Sequence, residues 1–319
     1  RSLDVDLAAT LRAIGEAPTD NGVADVIANH IQEASTKAVA TPRRPMLGAL
    51  NSPWQWISQR RRGAMWRSGV PTLAVGGGSA RGSGKTTLGR HLAQYLGDAG
   101  WNVGVVARGY GRAPGADVRC SWETADGRQL GDDAALYVHD GLLVASGPHR
   151  AVSAKALLAQ GANLLLLEDG LQQTDVASDW RVAVVDAVDP EAGGPHPAGD
   201  LREHQLVPSS CDAVVSVGGS WPDAHPCSII PTVWHRGYRA AVPQKPLAGF
   251  CGIGRAWRAQ DLMAPHLVKF RAHPDHVTYT TRRMRQLLSW ADGHELACSL
   301  KDRVRIPPEF VASIWWRDI

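Results

Sequence analysis

The sequence contains few cysteines and no long apolar run. Its five cysteines are scattered and form no C-x-x-C pair, so neither a disulfide framework nor a zinc site is expected. A reducing, cytosolic compartment follows from this pattern. No stretch of about 18 apolar residues occurs, and a membrane-spanning helix is therefore not predicted. With 319 residues, of which 44% are hydrophobic, the chain is long enough to build two compact domains.

Acidic residues are absent from residues 34–97, where lysine and arginine recur. Within this basic part, residues 53–66 interleave aromatic and basic side chains, a composition suited to anionic headgroups at a bilayer surface. The alternative, given equal weight, is a solvated helix whose tryptophans pack on the domain. A nucleic-acid partner is not expected, because the basic run is short and no binding motif accompanies it. The aromatic and basic side chains concerned are Trp54, Trp56, Trp66 and Arg60 to Arg62.

From Thr72 onward, short apolar runs alternate with helical stretches, which is typical of βαβ units and a mostly parallel sheet. Towards the C-terminus the pattern is less regular, and a second, smaller domain is expected there. The predicted strands are 72–75, 103–107, 164–167, 182–186, 213–217, 247–251 and 266–270. The predicted helices are 25–33, 86–97, 151–160 and 282–291.

A glycine-rich loop, residues 76–87, lies between a predicted strand and a predicted helix. In that context glycines turn backbone N–H groups toward a phosphate, Lys85 supplies a positive charge, and Thr86 offers a hydroxyl to Mg²⁺. A strict Walker motif would need glycine at Ser79, so the match is to a variant. We predict a nucleotide site that binds ATP and Mg²⁺, rather than a plain glycine-rich turn. Its predicted residues are Ser79, Gly82, Ser83, Gly84, Lys85, Thr86 and Thr87.

An apolar strand, residues 164–167, ends in Glu168 and Asp169. An acidic pair after a strand is commonly just a solvated strand end. Next to a phosphate loop, it becomes the expected partner of the metal. Thr86, Glu168 and Asp169 are therefore predicted at the metal.

Several further strings occur in one order along the chain and, with the loop, resemble the tetraacyldisaccharide 4'-kinase family. Residues 76–87 lie over that family's loop without gaps, and Ser79 falls where the family has threonine instead of the Walker glycine. The resemblance covers roughly residues 46 to 310. The other strings are ARGYGR at 107–112, GDD at 131–133, EDGLQQ at 168–173, PAGDLRE at 197–203, DH at 275–276 ahead of Tyr279, and LKD at 300–302.

The resemblance implies an ATP-dependent kinase that phosphorylates the 4'-hydroxyl of a lipid A precursor, a tetraacyldisaccharide 1-phosphate. It implies an α/β fold with a P-loop NTPase-like, mostly parallel sheet flanked by helices, and a second smaller α/β domain. The expected partners are the lipid disaccharide and an anionic membrane surface, with no obligate protein partner. The expected location is peripheral, on the cytoplasmic face of the inner membrane. The predicted limits are 1–45 for an N-terminal extension, 46–70 for a membrane-surface segment, 71–235 for the kinase domain and 236–319 for the smaller domain.

The resemblance also implies roles for individual residues. Asp132 and His276 form the catalytic carboxylate–imidazole pair and act with Lys85, and Asp133 is associated with the metal. On the sequence alone, His276 is one of 12 histidines and reads as an ordinary surface or structural residue. The residues implied to contact substrate are Tyr110, Arg112, Arg150 and Gln172. Arg150 can also be read as a solvated helix-start arginine, and the glycines beside Tyr110 as a tight turn.

Several positions depart from the family pattern, and these changes leave open an altered acceptor or a slow enzyme. Two other functions also remain open. One is a P-loop nucleotide switch or assembly factor, which would not need Asp132 and His276. The other is a weakened, non-catalytic homologue. The departures are Gly77 for asparagine, Arg81 for glycine, Thr87 for proline, Ala134 for proline, Glu168 for aspartate, Leu171 for phenylalanine and Gln173 for histidine.

Overall fold

The computed structural model describes residues 65–80, 82–112, 115, 117–124, 126–190, 193–194, 199–202 and 211–319. The predicted helix at 25–33 lies outside the described residues, as do Arg81, Trp54, Trp56 and the run Arg60 to Arg62. None of the described helices is long and apolar enough to cross a membrane.

Strands and helices alternate through most of the described chain. The strands are β1 (Thr72–Gly76), β2 (Val103–Ala107), β3 (Arg119–Cys120), β4 (Leu143–Ser146), β5 (Leu164–Glu168), β6 (Trp180–Asp186), β7 (Ala213–Val217), β8 (His225–Cys227), β9 (His235–Arg236), β10 (Arg239–Ala240), β11 (Leu247–Cys251), β12 (Leu267–Ala272), β13 (Leu296–Ser299) and β14 (Trp315–Arg317). The helices are α1 (Lys85–Asp98), α2 (Gly127–Leu130), α3 (Asp132–His139), α4 (Arg150–Ala159), α5 (Ala256–Met263), α6 (Thr281–Ala291), α7 (Leu300–Arg303) and α8 (Pro308–Val311), with a 3₁₀ turn at Ala264–His266.

The chain forms two compact units. The first contains the described residues up to Val106 together with Arg150–Ile229, and the second contains Ala107–His149 and Ile230–Ile319. These limits differ from those of the predicted domains, because residues 107–149 group with the C-terminal part of the chain. A change of composition along a sequence marks boundaries between neighbours, and it cannot show that an internal segment packs with a distant one.

The first unit is built on a parallel sheet in the order β2-β5-β1-β6-β7-β8. The residues of β1 and β5 are buried throughout, which explains why these strands read as continuous apolar runs rather than alternating ones. Because the strands are parallel, the carboxyl ends of neighbouring strands lie at the same edge. Val75 of β1 is paired with Glu168 of β5, so the phosphate loop and the acidic strand end start side by side.

The second unit has its own sheet in the order β10-β9-β14-β13-β11-β12. Its inner strands are parallel, and the short β9 and β10 are antiparallel. The largest core cluster contains Phe250, Met284, Leu287 and Trp316, and it includes Leu136 of α3. The segment 107–149 therefore shares a core with the C-terminal sheet.

The predicted fold class is confirmed by these two α/β units. The predicted strands and helices of the described part are present, with limits shifted by at most a few residues. The short strands and helices β3, β4, β8, β9, β10, β13, β14, α2, α7 and α8 were not predicted, because two to four residues carry too little periodicity to identify. The eight-residue helices α3 and α5 were not predicted either.

Trp66 belongs to the first unit. Its backbone N–H donates to the carbonyl of Asp175 at 2.9 Å, and its carbonyl accepts from the N–H of Ala177 at 2.9 Å. The side chain is half-buried, and the ammonium of Lys155 lies 5.5 Å from the ring centroid. For this tryptophan, the structure favours packing on the domain over insertion among headgroups.

Candidate functional site

The phosphate loop joins β1 to α1, as the sequence predicts. Lys85 is the first residue of the helix and is buried. Its ammonium donates to the carbonyl of Ser79 at 2.9 Å and to the hydroxyl of Ser83 at 3.2 Å. The Ser79 hydroxyl is buried and has no hydrogen-bond partner among the described residues. The loop therefore surrounds the charge of Lys85 and keeps a polar side chain that no described residue contacts by a hydrogen bond, which suits an anionic ligand.

Gly77 lies where the family pattern has asparagine, and the structure gives a steric reason for glycine. A Cβ at this position would lie 2.5 Å from the carbonyl oxygen of Val184 in the neighbouring strand β6. The contact is with backbone, which cannot rotate away as a side chain can. An asparagine here would require the loop or β6 to move.

The acidic end of β5 meets the start of α1. The Thr86 hydroxyl donates to Glu168 Oε1 at 3.2 Å, and Glu168 is buried. A hydroxyl and a carboxylate at adjacent strand ends are the oxygen donors that Mg²⁺ takes beside a nucleotide. These two residues fit the metal predicted from the sequence. Among the described residues, no group of three or more His, Cys, Asp or Glu side chains could hold a metal. That result is compatible with Mg²⁺, which usually uses one or two protein carboxylates and otherwise water and phosphate oxygens.

Asp169, also predicted at the metal, is engaged with an arginine that the sequence reasoning missed. Arg202 Nη1 lies 2.6 Å from Asp169 Oδ2. The other carboxylate oxygen, Oδ1, is buried and has no hydrogen-bond partner among the described residues. Asp169 adopts a positive φ of 47°, which turns the chain sharply after the strand.

The segment around Arg202 runs along the phosphate loop. The N–H of Arg202 donates to the carbonyl of Gly78 at 2.8 Å, and Ala80 donates to the carbonyl of Asp200 at 2.7 Å. Gln172, predicted at the substrate, donates to the carbonyl of Gly77 at 3.2 Å and accepts from Arg202 Nη1 at 3.3 Å. The string PAGDLRE was visible in the sequence, but no role was assigned to it. The structure shows that Asp200 and Arg202 of this string brace the loop.

Arg150 is not the solvated helix-start arginine of the alternative interpretation. It is 4% exposed, and its Nη2 donates to the carbonyls of Glu168 and Asp169 at 3.0 and 3.1 Å. Its backbone N–H donates to Asp175 Oδ2 at 3.1 Å. Arg150 thus fixes the turn that carries the acidic pair, and its prediction as a substrate contact stays a prediction.

In the second unit, Asp132 begins α3 and is buried at 4% exposure. Its N–H donates to the carbonyl of Tyr110 at 3.1 Å. A Cβ at Gly111, which has a φ of 76°, would lie 3.1 Å from Asp132 Oδ1. The glycines beside Tyr110 therefore serve a tight turn that packs against this carboxylate. A carboxylate in the first turn of a helix is also stabilised by the helix dipole.

The substrate residues predicted in this turn have different surroundings. The Tyr110 side chain is exposed, with the guanidinium of Arg108 5.5 Å from its ring centroid. Arg112 Nη1 lies 3.3 Å from the carbonyl oxygen of Ser146 and 3.4 Å from that of Asp117. Both remain predicted substrate contacts.

His276 and Asp132 are 144 positions apart in sequence, and His276 Nδ1 lies 2.8 Å from Asp132 Oδ2. Because a carboxylate only accepts, Nδ1 is the donor, and Nε2 carries the lone pair in the neutral ring. His276 adopts a φ of 55°, unusual for a residue other than glycine. Its N–H donates to the carbonyl of Gly252 at 3.2 Å and to Asp275 Oδ1 at 3.0 Å, which holds this turn.

The hydrogen bond to Asp132 raises the pKa of His276 above its ordinary value of 6.5. Partial burial opposes this effect, the carboxylates of Asp275 and Asp133 add to it, and Lys301 weakens it. The ring is 38% exposed. It is therefore a more basic imidazole than usual, held in one tautomer and open to solvent, as a general base requires.

Both carboxylates at the start of α3 are paired with cations near the C-terminus. Lys301 Nζ lies 2.8 Å from Asp133 Oδ1, and Arg305 Nη1 lies 3.6 Å from Asp132 Oδ2. Asp133, predicted at the metal, is thus ion-paired here, and its metal role stays a prediction. The string LKD was noticed in the sequence without a role, and Arg305 was missed.

Comparison with known proteins gives one family. The family described as Tetraacyldisaccharide-1-P 4'-kinase matches residues 43–317. Tetraacyldisaccharide 4'-kinase of Gluconacetobacter diazotrophicus is 32% identical over 273 residues, covering 81% of this chain and 82% of the relative. The enzyme of the same name from Azotobacter vinelandii is 32% identical over 302 residues, covering 86% and 88%.

A solved structure shows the same fold. It is the crystal structure of LpxK from Aquifex aeolicus in complex with ATP, with a TM-score of 0.67 and 18% identity. The similarity covers 86% of this chain and 93% of that chain.

Proposed function

This chain belongs to the tetraacyldisaccharide-1-P 4'-kinase family, and we propose that it transfers the γ-phosphate of ATP to the 4'-hydroxyl of a tetraacyldisaccharide 1-phosphate. Its reaction class is phosphotransfer to an alcohol group. The acceptor is a precursor of lipid A.

The observation that carries this proposal is the 2.8 Å hydrogen bond between His276 Nδ1 and Asp132 Oδ2. A phosphate loop alone would serve a kinase and a nucleotide switch equally. A switch has no need of a group that deprotonates an acceptor alcohol, whereas a kinase does. The oriented, basic imidazole supplies that group.

In the proposed reaction, the acceptor hydroxyl gives its proton to Nε2 of His276 as its oxygen bonds to the γ-phosphorus. The bond between that phosphorus and the β,γ-bridging oxygen breaks, and ADP leaves. Asp132 stabilises the imidazolium that forms, because its carboxylate already accepts from Nδ1. The phosphate loop lies in the first unit and the proposed base in the second.

The nucleotide phosphates are proposed to bind in the loop of residues 76–87, against the backbone amides and the Lys85 ammonium. To reach a phosphate, that ammonium exchanges its contacts with Ser79 and Ser83 for oxygens of the nucleotide. Thr86 and Glu168 would hold Mg²⁺, directly or through water. When bound, the metal neutralises charge on the phosphate oxygens.

The test is incubation with γ-labelled ATP and a tetraacyldisaccharide 1-phosphate, followed by separation of the lipid. We expect label on the lipid with the wild-type protein, and a loss of at least about 100-fold with Asp132→Asn and with His276→Asn. Asparagine is chosen at 276 because it tolerates a positive φ better than alanine does, so the turn is retained.

Nucleotide binding provides the control for these two variants. Their affinity for ATP should match that of the wild type, since both substitutions lie outside the phosphate loop. Label transfer that survives both substitutions would contradict the proposed base. ATP hydrolysis that is indifferent to lipid and to both substitutions would instead identify a nucleotide switch.

A further inference from the structure

We propose that Arg305 is a positioning residue for the Asp132–His276 pair. It contacts the Asp132 carboxylate and the backbone that carries His276. The inference rests on the proposed function, in which that pair is the general base. It assigns a role to the C-terminal segment 299–305, SLKDRVR. This segment contains the family-like string LKD, to which the sequence alone gave no role.

Arg305 reaches the carboxylate side of the pair directly. Its Nη1 lies 3.6 Å from Asp132 Oδ2, the same oxygen that accepts from His276. Both side chains of this ion pair are nearly fully buried. A guanidinium stays charged throughout the accessible pH range, so its charge always faces the Asp132 oxygen that the imidazole contacts.

Arg305 also reaches the backbone that carries the imidazole. Its Nη1 donates to the carbonyl of Val277 at 3.3 Å, and its Nη2 to the carbonyl of Gly252 at 3.0 Å. The Gly252 carbonyl also accepts from the N–H of His276 at 3.2 Å. One guanidinium therefore contacts the carbonyls of Val277 and Gly252, which lie next to the positive-φ turn at His276. It also contacts the Asp132 carboxylate, which orients the ring.

The position of Arg305 is itself fixed by a buried carboxylate. Asp302 is fully buried, and its Oδ1 lies 2.6 Å from Arg305 Nη2. The same oxygen accepts from the Tyr279 hydroxyl and from the Gly252 N–H, each at 2.8 Å. Asp302 Oδ2 accepts from Ser299 at 2.6 Å.

If the Arg305–Asp302 ion pair served stability alone, it would not need to contact the Asp132–His276 pair. Replacing a buried ion pair by apolar groups is often neutral for stability. Here the planar fork of Arg305 meets three carbonyls, those of Lys301, Val277 and Gly252, and two carboxylates, in different directions. A lysine has one compact ammonium and cannot span them. This difference lets substitutions separate positioning from charge.

The test compares Arg305→Gln and Arg305→Lys with Arg303→Gln. Arg303 is the matched control, because it lies in the same short segment but packs on the rings of Tyr238 and Trp316. Two readouts are measured on the full chain: the kinetics of lipid phosphorylation, and the long-range ¹H–¹⁵N spectrum of the histidine rings. The signal of His276 is assigned by its loss in His276→Asn.

We expect kcat to fall about 10-fold to 100-fold in both Arg305 variants, with the KM for ATP changed by less than about 2-fold. In the same variants, the His276 ring should lose its single tautomer, with both nitrogen shifts moving toward the average of the two neutral forms. Arg303→Gln should keep the wild-type kcat and the wild-type ring signal.

Arg305→Gln can fail to fold, since it leaves Asp302 buried without its cation. Arg305→Lys, which keeps the charge, then decides the question. The inference is overturned if a folded Arg305 variant retains the wild-type kcat and His276 signal, or if activity falls only in proportion to the folded fraction. The spectrum also separates this inference from the proposed function: a disturbed ring signal in a protein without kinase activity supports the positioning role and rejects only the reaction.

Discussion

At His276, the backbone and the side chain are constrained together. A positive φ in a residue other than glycine costs of order 1 kcal/mol and persists where its surroundings enforce it. The enforcing contacts here are the hydrogen bonds of its N–H to Gly252 and Asp275. They aim the ring at Asp132, so the strained backbone is part of how the imidazole is positioned.

The raised pKa of His276 predicts an acid limb in the pH profile of kcat. The Asp132 hydrogen bond is the main cause, Asp275 and Asp133 add to it, and burial and Lys301 oppose it. Since the neutral ring is the proposed base, kcat should rise with pH through a midpoint above 6.5 and then level off. His276→Asn should abolish this limb. A midpoint below 6.5 in the wild type would count against the assignment.

The raised pKa of His276 also affects the stability of the folded protein, with the opposite pH dependence. The folded-state pKa is raised, so the stabilisation is fully present below the unfolded value of 6.5 and is lost as pH rises through the folded pKa. The difference in melting temperature between wild type and His276→Asn should therefore be largest at about pH 6 or below. It should shrink at alkaline pH.

At single residues, the sequence was most informative where chemistry follows from local spacing. Lys85 and Thr86 were identifiable from their glycine context alone. Asp132 and His276 entered only through family resemblance, and Arg202 and Arg305 were missed. An arginine's role depends on what lies within reach of its long side chain, and nothing in the neighbouring sequence indicates that.

Among the elements, the segment formed by β1, the phosphate loop and α1 is constrained by backbone sterics at Gly77. Gly77→Ala would place a Cβ 2.5 Å from the Val184 carbonyl oxygen, and we expect it to lower the free energy of unfolding by roughly 1–3 kcal/mol. ATP affinity should fall with it, because the loop must shift. Denaturant titration and calorimetry measure the two effects.

Gly97→Ala is the matched control within the same segment of β1, phosphate loop and α1. Gly97 lies in α1, and a Cβ there meets nothing within 4 Å. Alanine should stabilise the helix by about 0.5–1 kcal/mol and leave ATP binding unchanged. Equal effects of the two substitutions would refute the steric explanation of Gly77.

The elements differ in how visible they are in the sequence. Strands such as β5 are continuous apolar runs, and helices such as α4 and α6 are ten or more residues long. Such segments carry enough periodicity to be predicted. Helix α3 was missed although it presents Asp132, because eight residues are too few to show a clear helical period.

For the whole molecule, net charge is only +3, yet residues 34–97 contain no acidic residue. We propose that the basic segment at 46–70 holds the protein at an anionic bilayer, peripherally and on the cytoplasmic face of the inner membrane. Substituting Arg61→Gln and Arg62→Gln together should weaken binding to vesicles containing phosphatidylglycerol by about 1 kcal/mol per arginine at low salt. Vesicle flotation measures this.

The control for the vesicle experiment removes the same charge elsewhere. Arg282 and Arg285 are exposed on α6 of the second unit, and the double substitution to glutamine should leave vesicle binding nearly unchanged. If the two double substitutions weaken vesicle binding equally, net charge rather than the basic segment drives association. The proposal for that segment is then wrong.

The sequence by itself determined the alternation of strands and helices and the phosphate loop, because both depend on residues that are neighbours in the chain. A strand, a glycine-rich turn and a helix start define a phosphate site within a dozen neighbouring residues. Only the tertiary structure decided that residues 107–149 pack with the C-terminal sheet and that Arg202 and Arg305 hold the acidic groups. Those contacts join residues far apart in the chain, and they depend on how two cores fill their volume, which no local pattern records.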